Sequence, residues 1–210
     1  GRSNFAQWRR QIPEDLRLLR DNGVVFIDRK GVRGFGETTA GYTWLLQAGV
    51  SGIRAYVEAR RAELDLAVPG ALEKADFLRA LLMVGEGMVI MANRYADLAE
   101  QMAAEEADPL RRAELAEIAA ICRRVPEQPA ATFREALQSL YFYQTCIFME
   151  QNAASYNPGR MDQYLWPYYQ ADLAAGRLDQ EQAQELLDCL WIKFSEPCVF
   201  QDAVTAEYAA

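Results

Sequence analysis

The residues best placed to do chemistry lie in one stretch, Glu150-Gln-Asn-Ala-Ala-Ser-Tyr-Asn-Pro-Gly-Arg-Met-Asp-Gln-Tyr-Leu-Trp-Pro-Tyr-Tyr169, where an apolar segment opens into a polar, small-residue turn and then an aromatic run. Asn152, Ser155 and Asn157 supply amides and a hydroxyl at the end of a helix expected to be buried. Such a turn must satisfy its own polar groups, so it either closes on itself or faces a ligand cavity. The rest of the inventory excludes much. The chain has no histidine, which removes Ser-His-Asp triads, His-ligated zinc and histidine general bases. Cys122, Cys146, Cys189 and Cys198 are widely spaced without a CxxC pair, a pattern of reduced thiols in a cytoplasmic protein rather than of a disulfide frame or zinc site. Glu86, set among apolar residues, reads as a buried, hydrogen-bonded structural acid rather than a tuned catalytic one.

The elements that must position these residues are mostly helical. With 210 residues, 51% hydrophobic and 25% charged, the chain is globular and can bury one sizeable core. A net charge of -8 argues against a nucleic-acid groove, and no polybasic membrane-binding segment is present. The longest apolar stretch, Ala80 to Ala92, is broken by Gly85, Glu86 and Gly87 and is too short to span a bilayer. The opening Gly and the closing Tyr-Ala-Ala suggest that both ends are cut. A helix is expected over Gln11–Arg20, a strand over Gly23–Asp28, and a glycine-rich loop over Gly31–Gly41. From Tyr42 the periodicity is helical, with a long segment from Ala71 to Ala107 and a restart at Asp108-Pro109. The linker Val125–Ala130 precedes a capping pair, Thr132 with Glu135, and a helix over Ala136–Met149 that should be buried on nearly every side. Asn157-Pro158-Gly159 is a turn. Beyond it runs a helix from Arg160 to Ala175, with a kink expected at Pro167 and an end at Gly176. Asp179 and Gln182 cap the last helix, which runs to Ser195. The fold class is therefore mainly α with few strands, read as one domain without repeats.

The run from Glu150 resembles the signature of glycyl radical enzymes, the pyruvate formate-lyase-like family, in which Glu-x-Asn-(Gly/Ala)-x-Ser precedes Gly-Arg-(Phe/Met)-Asp-Gln-Tyr and an aromatic Pro-Tyr-Tyr. The resemblance extends to Arg94-Tyr-Ala-Asp-Leu-Ala99, Asp108-Pro-x-Arg-Arg112, Thr132-Phe-Arg-Glu-Ala-Leu-Gln138 and Glu185-Leu-Leu-Asp-Cys-Leu-Trp-Ile-Lys193, covering about Gly36 to Pro197. It implies the helical part of a ten-stranded α/β barrel, two antiparallel five-stranded half-sheets wrapped in helices. On that reading residues 1–210 are a single partial domain lacking the cysteine loop and the C-terminal glycine-radical domain. Val32-Arg33-Gly34-Phe35 is superficially like the radical glycine loop but lies upstream of the signature, and no cysteine here stands in the family's catalytic context.

The resemblance implies a C–O or C–N lyase, a dehydratase or eliminase, acting on a small organic substrate, with no catalytic residue in this chain. An arylacetate-type decarboxylase and a non-catalytic helical binding or assembly module are the alternatives. The glycyl radical would sit elsewhere in the full-length protein, installed by an activating enzyme that uses S-adenosylmethionine and an iron–sulfur cluster. The partners implied are that activating enzyme and a second copy in a homodimer, with no nucleic acid and no membrane, in the cytoplasm. Ser155 aligns with a pocket serine of the family, and Met161 with an aromatic or methionine pocket wall. Glu37 stands near a position where some dehydratases hold a substrate hydroxyl, and Asn152 belongs to the same polar turn. Ala154 replaces a histidine of glycerol-type dehydratases, which speaks against glycerol or propanediol. Each has a plainer reading beside this: Ser155 as a turn cap, Met161 as core packing, Glu37 as solvated. Arg160 and Asp162 are expected to fix the turn, and Tyr164, Trp166, Tyr168 and Tyr169 to pack.

Overall fold

The computed structural model describes residues 13–22, 39–151 and 157–196, and every regular element among them is an α-helix: α1 Glu14–Asp21, α2 Tyr42–Ala62, α3 Ala71–Glu105, α4 Pro109–Arg124, α5 Phe133–Gln151, α6 Met161–Ala174 and α7 Gln180–Ser195. The strand expected over Gly23–Asp28 and most of the glycine-rich loop lie outside the described residues. The chain divides into two compact units. The first comprises Gly1–Thr39, Ile147–Asn157 and Cys198–Ala210; its described parts are α1, the end of α5 and an isolated parallel bridge between Thr39 and Asn157. The second comprises Ala40–Cys146 and Pro158–Pro197 and carries the main core.

Helix starts follow the sequence signals closely. Asp108 accepts the Leu110 N–H at 3.0 Å, with Pro109 in the first turn, where a missing N–H costs nothing. Asp179 and Gln182 form a reciprocal capping box at 2.8 and 2.9 Å. The third signal is met differently. Thr132 Oγ1 accepts the Glu135 N–H at 3.1 Å, but the Glu135 carboxylate takes the Ala131 N–H at 2.7 Å and pairs with Arg124. The next orphan donor of α5, Phe133 N–H, goes to the buried Asp172 of α6 at 2.8 Å, and Asp172 is held in turn by Arg177 at 2.7 Å. One carboxylate thus joins the beginning of α5 to the end of α6.

The apolar pattern determines the packing. No residue of α5 from 133 to 148 is exposed, as its composition requires. Phe133, Ala136, Leu137 and Leu140 share the main core with Tyr42 and Leu46 of α2, Leu165 of α6 and Ala183 and Leu190 of α7. The long α3 lies along α4, and Ala92 and Ala96 meet Cys122 and Phe142 in a second cluster. Glu86 is a correction: it is exposed on α3, because the buried face of that helix runs through Met88, Ala92, Ala96 and Ala99, and residue 86 points away from it. Trp166 is 52% exposed, and its ring packs against that of Tyr169 with centroids 5.6 Å apart. The buried face of α6 carries Leu165 and Asp172, so its neighbour at 166 turns outward.

One feature of α2 has no precedent in its periodicity. Gly49 has φ 63° and ψ 172°, breaking the helix into two limbs. The linker after α4 fills the break: Val50 N–H donates to Pro126 O at 2.9 Å, Ser51 N–H to Glu127 O at 2.9 Å, and Ala130 N–H to Leu46 O at 3.0 Å.

Candidate functional site

Of the four expected contact residues, Glu37, Asn152 and Ser155 lie outside the described residues. Met161 is described: it is the first residue of α6, half-buried, and packed against the main core. That placement is what the packing reading requires. The turn before it is built as expected, with Gly159 at φ 69° and Met161 N–H donating to Gly159 O at 3.0 Å. Arg160 and Asp162 pair with one another through two bonds of 2.9 and 2.7 Å, both side chains exposed.

Within the second unit the backbone at Gly41 and at Pro158 is held by side chains of the core helices. Three tyrosines from three helices converge. Tyr42, the first residue of α2, stacks on Tyr164 of α6 with ring centroids 5.7 Å apart and meets Tyr143 of α5 edge-on at 5.4 Å. Burial of a phenol demands a partner for its hydroxyl, and each has one. Tyr42 Oη donates to Gln144 Oε1, Tyr164 Oη donates to the Pro158 carbonyl at 2.7 Å, and Tyr143 Oη accepts from the Gly41 N–H. Gly41 follows the bridged Thr39 by two residues, and Pro158 follows the bridged Asn157 by one.

Electrostatics makes these groups holders rather than proton acceptors. Burial, reinforced by Tyr143, pushes the Tyr42 phenol up to about 12. Burial also raises Tyr143, against the Gly41 N–H that favours the ionised oxygen, and raises Tyr164, with Tyr42 adding to the effect. All three are neutral phenols at physiological pH. The thiols behave similarly. Burial raises Cys122 to about 11, with Arg123 opposing, and Cys146 to about 11. Cys122 is buried, Cys146 half-buried against Leu45, Val50 and Met88, and Cys189 exposed on α7. Among the described residues no group of three or more His, Cys, Asp and Glu side chains is arranged to hold a metal ion, and no helix is long and apolar enough to cross a membrane.

Of these three tyrosines only Tyr164 was singled out from the sequence. The available signal was Tyr143 within a helix too apolar to leave its hydroxyl in water.

Comparison with known proteins adds the wider frame. The family model for pyruvate formate lyase-like proteins matches residues 1–210. Isethionate sulfite-lyase of Oleidesulfovibrio alaskensis is 41% identical over 157 residues, 74% of this chain and 19% of the relative. Trans-4-hydroxy-L-proline dehydratase of Clostridioides difficile is 39% identical over 166 residues, 78% of this chain and 21% of the relative. A solved structure concerned with 1,2-propanediol dehydration in Roseburia inulinivorans superposes with a TM-score of 0.84 at 38% identity, covering 93% of this chain and 23% of that one. The chain spans about a fifth of the length of the curated relatives it matches.

Proposed function

The chain belongs to the pyruvate formate lyase-like family of glycyl radical enzymes, whose helical part it forms, and we propose that it is the pocket-wall and scaffold portion of a radical lyase. The reaction is elimination from a small organic substrate, a dehydratase or C–O/C–N lyase activity. The observation that carries this reading is the match, at about 40% identity over three quarters of the chain, to both a sulfite-lyase and a hydroxyproline dehydratase. On this reading residues 1–210 are one partial domain, and the cysteine loop and glycine-radical domain belong to the rest of a longer polypeptide. The glycyl radical, carried there, supplies hydrogen-atom abstraction through a cysteine. A cytoplasmic activating enzyme using S-adenosylmethionine and an iron–sulfur cluster installs it, and the full-length protein is a homodimer.

The part assigned to this chain is substrate holding, which accelerates such a reaction by fixing the reacting carbon against its partner. Ser155 and Asn152 hydrogen-bond the substrate, Met161 forms an apolar wall, and Glu37 accepts a hydroxyl or pairs with a cationic group. None of them is a catalytic residue.

The test uses the full-length protein, activated anaerobically, against isethionate, trans-4-hydroxy-L-proline, 1,2-propanediol and indoleacetate. Loss of water from trans-4-hydroxy-L-proline or 1,2-propanediol is the expected result, and loss of sulfite from isethionate would extend the lyase to C–S cleavage. Carbon dioxide released from indoleacetate alone would replace the lyase with a decarboxylase, a choice that the absence of histidine at Ala154 keeps chemically open. A glycine-centred paramagnetic doublet that never forms would leave a binding or assembly module. For the contacts, Ser155→Ala and Glu37→Gln should raise KM by about 2–10-fold, the loss of about 0.5–1.5 kcal/mol per hydrogen bond, with kcat nearly unchanged.

A further inference from the structure

Gly49, at φ 63°, separates α2 into a limb over 42–48 and a limb over 50–62. Tyr42 and Leu46 of the first limb lie in the main core, while Val50 and Ile53 of the second meet Met88 and Val89 of α3. The angle between the limbs thus bears on how α3, with α4 packed along it, is seated against that core.

The backbone of the break is filled by the linker after α4, which takes the Val50 and Ser51 N–H groups and gives the Ala130 N–H to Leu46. At the surface lies a contact that the linker does not explain. Trp44 of the first limb meets Tyr56 of the second edge to face, with ring centroids 5.5 Å apart and planes at 89°. In an unbroken helix, residues twelve positions apart stand about 18 Å apart along the axis and about 120° apart around it. That is too far for two rings to touch, so the contact exists only because the helix is bent. Arg60 extends it, with its guanidinium 5.3 Å from the centre of the Tyr56 ring and paired with Glu63 at 2.9 Å. Edge-to-face rings and a cation over a ring are both favourable arrangements. Trp44 is 49% and Tyr56 50% exposed, so removing either ring opens no cavity in the core.

We propose that Trp44, Tyr56 and Arg60 form a clasp across the break in α2, a conformational device that holds the bend from the surface while the linker holds it through the backbone. Opening the bend separates the rings. Loss of the clasp therefore lets the break open more often and leaves the closed structure unchanged. The inference concerns the bend alone and does not rest on the radical-lyase reading.

The test is hydrogen–deuterium exchange on the full-length, unactivated protein, followed at Val50, Ser51 and Ala130, whose N–H groups are bonded across the break. The variants are Trp44→Ala, Tyr56→Ala, the two together, and Tyr56→Phe. Exchange at these amides should rise about 3–10-fold in each single alanine variant, about 0.7–1.4 kcal/mol. The double variant should be no faster than the faster single, because the same contact is lost. Tyr56→Phe keeps the ring and should stay within about twofold of wild type, and the amides of α4 should not change. A simple effect on helix propensity has the opposite sign: alanine is a better helix former than tyrosine or tryptophan, so without a clasp Tyr56→Ala should slow exchange in the second limb. Unchanged or slower exchange in both single variants overturns the clasp. So does a double variant whose effect is the product of the singles, since the rings would then act separately. A rise in Tyr56→Phe as large as in Tyr56→Ala overturns it by assigning the effect to the hydroxyl, and an equal rise across α4 overturns it by showing a global loss of stability.

Discussion

Replacing Gly49 with alanine should be among the most damaging single changes in the described part of the chain, although it adds one methyl group. At φ 63° and ψ 172° the backbone occupies a region open essentially to glycine, and forcing another residue into it costs about 1–3 kcal/mol. The methyl would also lie 2.5 Å from the Gln128 carbonyl carbon, 2.5 Å from the Glu127 oxygen and 2.7 Å from the Pro129 nitrogen. These are backbone atoms, so no side-chain rotation relieves the clash and the linker must move. That linker receives Val50 N–H and Ser51 N–H and gives the Ala130 N–H to Leu46 O, three bonds worth about 1 kcal/mol each net. Strain plus partial loss of the three gives about 3–5 kcal/mol. Gly87→Ala is the control, because Gly87 is exposed inside α3 with nothing within 4 Å of the added carbon, and alanine there should stabilise by about 0.5–1 kcal/mol. Hydrogen exchange on the full-length protein reads both directly. In Gly49→Ala the amides of Val50, Ser51 and Ala130 should exchange at least about a hundredfold faster, the equivalent of about 2.7 kcal/mol, and in Gly87→Ala they should not. If Gly49→Ala leaves those three amides protected, the account of the kink is wrong.

Asp172→Ala removes the acceptor that Phe133 N–H and Arg177 share, so the first turn of α5 should lose about 1–2 kcal/mol of capping. Exchange at Phe133 in the Ala and Asn variants measures it, with Asn expected to retain more of the protection. Maleimide labelling at pH 8, read by peptide mass, should modify Cys189 first, because it is exposed, and leave Cys122 and Cys146 largely unmodified, because burial holds both thiols near 11. The same raised values give stability a direction in alkali. Cys122, Cys146 and Tyr42 hold their protons more tightly folded than unfolded, so their contribution is fully present below about pH 9 and is lost as pH rises through about 11 and about 12. Urea midpoints measured at pH 8.0, 9.5 and 10.5 should therefore fall across the series; a midpoint that rises would contradict the burial of these groups.

How far the fold was legible depends on whether a signal was local. Asp108-Pro109 and Asp179 with Gln182 were read correctly because a cap is a contact between residues two or three apart. Asp172 was not noticed, since its partner Phe133 lies 39 residues away and nothing in the neighbourhood of Asp172 indicates it. Glu86 was misread because apolar neighbours in sequence do not share a helix face, and the face that decides burial in its helix passes through Met88 and Ala92. Gly49 gave no sign because the helical period on either side of it is intact. The family signature was legible because it is a dense run of specific residue types. The residues it nominates, Glu37, Asn152 and Ser155, lie outside the described residues, so their roles rest on the resemblance and await the variants above.

The buried polar side chains of the described core argue about where function resides. Glu135 serves the start of α5 through Ala131 N–H and Arg124, Asp172 serves the same helix through Phe133 N–H, and Gln144 serves Tyr42. Each is spent on a backbone or phenol that would otherwise be unsatisfied, which is the ordinary reason a polar group is buried. Loss of any of them should therefore act through folding, lowering stability and activity together.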